Sequence, residues 1–440
     1  MSDQTQKKGG NLIAIVTMFA LYGLCGFMTY LAAPAGAIWK FKVGSVTLGN
    51  LGNMMNFLAY LLMGYPMGMI LQKAGYKMTA ILACATGAAG ILVQLLSGYI
   101  HLGVVGSVPG EWFIYLLGAF ISGTSNCLLN GVINPMLNTI VGGGNKGNQL
   151  NLAGGSCNSL FQGFSMFIVP AVIGEVTAET QFSQVTNVLV VAAAIFIAAT
   201  VIIAFLPIAN PTMRSGNVVY ERSALAFRHC LLGVVGIFLY MGVEAGIPIA
   251  TQSDQIKELM AAGVAGAGSA AAVMAGKLAM AVFVLMLIGR LLGAAFGGKI
   301  SPRSMLLWAS GVSLILLVVG VALIGFGVTI PWEVASDGGN VMINVPVGAF
   351  CFVLMGVCTS VMWGVIFNLS TEGVGKYTEQ ASGLFMTMVV GGGILPLLQT
   401  WIGANVGFLT GFAVPGACLA YLFIYALKFS KNVNTDIKID

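Results

Sequence analysis

Charge is what this 440-residue sequence has least of. Asp, Glu, Lys and Arg make up 8% of it, against about a quarter of a soluble globular protein. Nineteen basic and 14 acidic residues cannot coat a soluble particle of this size. They suffice to mark the loops of a protein whose outer surface faces lipid. Histidine is nearly absent: His101 and His229 lie at the edges of apolar segments and form no metal cluster. The eight cysteines all fall inside apolar segments, without the short paired spacing of a zinc or redox site, so they read as small buried hydrophobes. No glycine-rich phosphate loop with its lysine and hydroxyl occurs, which argues against ATP-driven transport by this chain. Paired carboxylates and nucleophile–base sets are also missing. No enzyme activity, cofactor, metal or nucleic-acid partner is therefore expected.

What the sequence does have is long apolar runs, with 58% hydrophobic residues overall. A membrane-spanning helix needs about 20 mostly apolar residues. Twelve candidates stand at 11–39, 46–72, 78–100, 113–141, 150–174, 187–207, 225–251, 270–296, 304–329, 345–370, 381–405 and 406–429. The first is too long for the core of a cleavable signal. Disorder is expected only in the first and last ten residues. The longest polar stretch in mid-chain is 208–224. It divides the chain into an N-terminal six-helix half (1–207), a cytoplasmic linker (208–224) and a C-terminal six-helix half (225–440).

Basic residues accumulate on the cytoplasmic side of membrane proteins. With both termini inside, fifteen of the 19 fall there, among them Lys73, Lys77, Arg228, Arg290, Lys299 and Arg303. The exceptions are Lys40, Lys42, Lys257 and Lys277. Shifting the helix count by one scrambles this asymmetry, so it supports both the number twelve and the orientation.

The halves rhyme. Gly131-Val132-Ile133 in helix 4 matches Gly364-Val365-Ile366 in helix 10, and the following helices carry Pro170 and Pro396. Two related six-helix halves resemble the major facilitator superfamily, whose substrate site lies at the midplane between them. The loop GMILQKAGYK (68–77) resembles that superfamily's signature, with Gln72 where an aspartate usually stands. A more detailed similarity is to the fucose–galactose–hexose permeases, the group of the L-fucose:proton symporter. It rests on Asn134-Pro135, Leu150-Asn151-Leu152-Ala153 with Asn158-Ser159, and Tyr240-Met241-Gly242-Val243-Glu244. Further matches are Ile288-Gly289-Arg290, Ser301-Pro302-Arg303 and the run from Lys376 to Ser382 leading into 389–396. These recur in order along nearly the whole chain. The resemblance implies an all-α membrane protein, a twelve-helix sugar permease of the bacterial inner membrane, monomeric by superfamily default. Proton-coupled members carry an aspartate in helix 1 and a glutamate in helix 4. Here those positions hold Tyr30 and Asn130, which removes the usual coupling acids. A proton or sodium ion bound elsewhere stays open.

Helix 4 carries Asn126, Asn130, Asn134 and Asn138 at steps of four, which places them along one slowly drifting stripe. Amides need hydrogen bonds that lipid does not offer, so the stripe faces protein or a wet cavity. Asn126 and Asn130 are read as lining a sugar cavity. Asn134, beside Pro135, either lines it or caps freed backbone, and Asn138 is structural. The alternative for the stripe is interhelical glue against Asn53 and Asn56 of helix 2. Asn158 and Gln162 form a second wall. Tyr30 and Trp363 are candidates to stack on a pyranose ring, with Asn368 and Gln399 as further polar candidates.

Glu244 is the one acid placed deep in a helix, and such a group is a functional candidate needing a partner. Lys277 is expected at similar depth on the next helix, which suggests a Glu244–Lys277 ion pair. The alternative is that Lys277 snorkels outward and Glu244 lines the cavity alone. The neutral amides favour a hexose or deoxyhexose such as fucose, glucose or galactose. A nucleoside or amino sugar is the alternative cargo, and a non-transporting sugar sensor the alternative class.

Overall fold

A computed structural model describes residues 2–140, 144–173, 180, 182–206, 222–264, 266–296, 299–336, 339–434 and 437. Among these, the side chains of 2–11, 30, 32–35, 37, 46–47, 72, 138–139, 144–148, 166–173 and 379 lie outside the description. The candidates Tyr30 and Asn138, and Gln72 of the signature loop, are in that group. Most of the expected 208–224 linker also falls outside the described residues.

Twelve long helices are present among the described residues. They are α1 (Ser2–Val43), α2 (Leu51–Leu71), α3 (Lys73–Leu96), α4 (Glu111–Ile140), α5 (Gly144–Ile173) and α6 (Thr186–Phe205). Then come α7 (Arg228–Thr251), α8 (Gly268–Phe296), α9 (Pro302–Gly325), α10 (Val347–Thr371), α11 (Gly375–Asn405) and α12 (Phe408–Phe429). Eleven of these spans are long and apolar enough to cross a membrane among the described residues, and α5 is the twelfth helix. The chain is a multi-pass membrane protein.

The α2–α3 break is a sharp turn inside nearly continuous helix. Gly75 there has φ of 75°, which a side chain resists. Elsewhere the glycines let helix backbones touch. A Cβ on Gly26 of α1 would stand 2.2 Å from the carbonyl oxygen of Asn158 on α5, so only glycine permits this approach. Ser301 caps α9 by accepting from the Ser304 amide, with Pro302 in the first turn. Arg303 then donates to the carbonyls of Ala426 and Leu427, tying α9 to the end of α12.

The connections alternate between two faces. The α8–α9 and α10–α11 loops share one face with the C-terminal tail. That tail is not loose: the Asn434 side chain accepts from the Arg228 amide at 2.8 Å, Asn432 donates to Gly373, and Ile437 is buried beside Phe227 and Tyr377. For 431–434 and Ile437 these anchors correct the expected disorder; the rest of the last ten residues lie outside the described residues. The opposite face carries a short helix (Asp254–Ala261) and a hairpin, β1 (Thr329–Ser336) with β2 (Gly339–Pro346). Two seams join helices of the first six to helices of the second six. One is α5 against α8, where a Cβ on Gly163 would meet Phe283; the other is α2 against α11, where one on Gly64 would meet Thr387.

Candidate functional site

Between these seams lies a cavity of about 730 Å³, within the ~300–1,000 Å³ usual for small-molecule sites. Its mouth is on the tail face, bounded by 299–302 and Glu372. Its floor on the far side is Phe57 of α2 packed on α11: a Cβ on Gly392 would come within 2.7 Å of the Phe57 ring.

Helices α1, α4 and α5 make one wall. Asn130 donates to the hydroxyl of Tyr60 at 2.9 Å, to its own helix at Asn126 O, and approaches Cys25 Sγ. The amide of Asn134 donates to Asn130 O at 3.1 Å, and its oxygen accepts from Tyr22. So Asn134 both supports helix backbone near Pro135 and faces the cavity. Asn151 reaches the same Tyr22 hydroxyl. Asn158 donates to Tyr22 O at 3.3 Å, while Gln162 leaves Oε1 without a partner among the described residues. Asn130, Asn134, Asn158 and Gln162 all line the cavity.

Asn126 does not. It is fully buried, and its amide donates to Thr29 Oγ1 at 3.2 Å. Steps of four on a helix drift by about 40° each, so the stripe turns from the cavity at Asn134 into the α1 contact at Asn126. For this residue the side chain joins helices, but it joins α4 to α1 through Thr29 and not to Asn53 or Asn56 of α2.

The facing wall comes from α7, α8, α10 and α11. Trp363 lines the cavity between Tyr240, with ring centroids 6.4 Å apart, and Phe385, at 5.4 Å. Phe367 and Asn368 continue this surface toward the mouth. Gln399 sits elsewhere, beyond the Phe57 floor and beside a second cavity.

The expected Glu244–Lys277 pair is absent. Lys277 is exposed, and Glu244 pairs with Arg290, at 3.6 Å between Oε1 and Nη2. The physical reason is helix rotation. Lys277 and Arg290 lie thirteen residues apart on α8, about 220° after whole turns are removed, so they face nearly opposite ways. Reading Arg290 only as a cytoplasmic loop marker hid its reach into the cavity. Its guanidinium also donates to Gly155 O on α5 and, at 3.4 Å, to Ser360 O on α10. One side chain thus joins α5, α7, α8 and α10, with five N–H donors to distribute. The signal was available: Arg290 falls six residues inside the expected helix 270–296. Tyr22 and Tyr60 were missed because a tyrosine in an apolar run carries no mark of where its hydroxyl points.

No family model matches the sequence. A glucose/galactose transporter of Brucella abortus is 31% identical over 212 residues, covering 48% of this chain and 45% of that protein. The match thus spans less than half the length of that relative. A putative glucose/galactose transporter of Helicobacter pylori is 23% identical, covering 97% of this chain and 99% of that one. The L-fucose-proton symporter of Escherichia coli is 23% identical over 86% of this chain and 84% of its own. A crystal structure of the major facilitator superfamily transporter FucP in the outward conformation superposes with a TM-score of 0.70. It is 17% identical and covers 95% of this chain and 99% of that one. The chain has the major facilitator fold and resembles the fucose–galactose–hexose permeases. The cavity lined by Asn130, Asn158, Trp363 and Glu244 lies between the first six helices and the second six.

Proposed function

We propose that this major facilitator protein carries a neutral monosaccharide, a hexose or deoxyhexose, across the cytoplasmic membrane by alternating access. The two units that rock are residues 1–207 and 225–440, joined by 208–224. The observation that carries the reading is the chemistry of the 730 Å³ cavity: neutral amides on one wall, an aromatic surface on the other, and one matched ion pair. Amides offer a donor and an acceptor each, which suits hydroxyls. Trp363 offers a flat apolar face for the ring carbons. Relatives along the full chain are named as glucose/galactose transporters, which agrees with this cargo.

Both termini are placed in the cytoplasm, as the basic residues argue. The cavity mouth at 299–302 and Glu372 is then inward-facing. The protein works as a monomer in lipid and needs no cofactor beyond a coupling ion. Glu244 is the group we assign to coupling, if a proton is used. It faces Arg290 from α8, Tyr240 on its own helix, and Tyr60 from α2. Protonation would release Arg290 to its carbonyl partners Gly155 and Ser360, and so link charge state to the α5–α8 seam.

The test is uptake of labelled glucose, galactose and fucose into proteoliposomes, with proton and sodium gradients imposed separately. Uptake of at least one sugar is expected. Failure of all three refutes the sugar reading, and uptake indifferent to both gradients assigns facilitated diffusion.

A further inference from the structure

Above the Phe57 floor, toward the face opposite the mouth, lies a second cavity of about 210 Å³. It shares α1, α2, α7 and α11 with the first, further along each toward the opposite face, and adds the short helix and α12. Where α7 gives Glu244 to the main cavity, it gives Ile249 here; where α11 gives Val389, it gives Gln399. The closed seam between them is the Phe57 ring against Gly392 and Gly393.

The lining is unusually rich in uncommitted amides. Asn50, Asn53, Gln252 and Gln399 all face this space, and none of their side chains makes a hydrogen bond among the described residues. Gln399 is the sharpest case: it is 7% exposed and its Oε1 has no partner among the described residues. A buried amide left unsatisfied costs roughly 1–3 kcal/mol; Gln399 is in that position, and the half-buried Asn50, Asn53 and Gln252 around the same hollow add donors and acceptors for a hydrogen-bonding occupant. The charged groups there are already committed to one another. Lys40 at the end of α1 binds Asp254, which opens the short helix, and Lys257 lies 3.5 Å from the same carboxylate. That leaves neutral donors and acceptors as the available chemistry, the complement of hydroxyl groups.

We propose that this outer cavity is a second binding site for the same class of solute, a neutral polyhydroxyl compound. It is loaded from the far face before the Lys40–Asp254 pair closes across the halves. The inference rests on the sugar reading of the main cavity and adds a site to it.

The experiment is equilibrium binding of tritium-labelled D-galactose to the full chain in lipid nanodiscs. Four proteins are compared: the parent, Asn53→Leu, Gln399→Met and Trp363→Ala. Gln399→Met keeps the side-chain length and removes an amide that lacks a partner, so it is expected to fold as the parent does. Two classes of site are expected in the parent. The weaker class should lose at least tenfold in affinity in Asn53→Leu and Gln399→Met, and persist in Trp363→Ala. One class only, weakened by Trp363→Ala and untouched by the other two, overturns the second site while leaving sugar transport standing. Absence of galactose binding in the parent, together with no uptake of any sugar, overturns the sugar reading and this inference with it.

Discussion

The wall built by α1, α4 and α5 and the wall built by α7, α8, α10 and α11 face one space with different chemistry. The first is a web of neutral groups in which amides and tyrosine hydroxyls hold each other: Asn130 to Tyr60, Asn134 and Asn151 to Tyr22, and Asn158 to the Tyr22 carbonyl. The second is an aromatic surface around Trp363 with a single buried charge pair. A web of neutral amides can exchange partners with sugar hydroxyls at little cost, because every lost bond is replaced by a similar one. A buried ion pair cannot be diluted that way; each charge needs the other. One wall is therefore suited to reading hydroxyl directions, and the other to gripping the ring and holding the helices in register.

The largest effect should follow from breaking the charge pair on one side only. Arg290→Met strands Glu244 in a buried site, a change that costs about 3–5 kcal/mol in comparable cases. Thermal unfolding of the purified protein should show a marked loss of stability. Adding Glu244→Gln to the same chain should recover most of it. If the double variant unfolds no later than Arg290→Met alone, the guanidinium serves mainly the carbonyls of Gly155 and Ser360 rather than the carboxylate.

A smaller effect separates the two walls. Asn130→Ala removes one hydrogen-bonding amide, worth roughly 0.5–1.5 kcal/mol, which is up to about tenfold in KM. On the proposed sugar reading the loss should depend on the sugar, because a single amide meets one hydroxyl direction. Trp363→Ala should weaken glucose, galactose and fucose alike, since every pyranose offers an apolar ring face. KM values for the three sugars decide it. A change of sugar preference in Trp363→Ala, or none in Asn130→Ala, would erase the distinction between the walls.

How far the sequence carried depends on which physical signal is involved. Helix number came from apolar run length, a local property, and α1 to α12 follow the expected spans closely. The far-face hairpin of β1 and β2 escaped, because it lies almost wholly in the 330–344 gap between two expected helices, which was read only as a connection. Asn130, Asn134, Asn158, Gln162, Trp363 and Asn368 all line the main cavity, since amides and tryptophan in apolar helices announce an interior role. What the sequence left open is rotation and reach. Lys277 and Arg290 looked equivalent to a depth argument, and only their angular separation on α8 tells them apart. Gln399 has the composition of a cavity residue and lines a cavity, but on the other side of the Phe57 floor. A long flexible side chain such as Arg290 moves its charge several ångströms from its Cα, which a boundary estimate does not capture.

The smallest predicted effect tests where the amide wall ends. Asn126 shares the stripe with Asn130 and Asn134, yet it is fully buried and donates to Thr29 rather than to the cavity. Replacing it by alanine removes one bond and leaves the Thr29 hydroxyl its other bond, to Cys25 O at 2.8 Å. The expected cost is about 1 kcal/mol of stability, with KM for every transported sugar unchanged within twofold. Thermal unfolding and uptake kinetics on one preparation read both quantities. A rise in KM beyond that range would mean that the wall extends a turn further and that Asn126 swings into the cavity in another state of the transport cycle. An unchanged KM would fix the limit of recognition at Asn130, where Tyr60 and Cys25 meet the amide, and assign the remaining turn to holding α1 against α4.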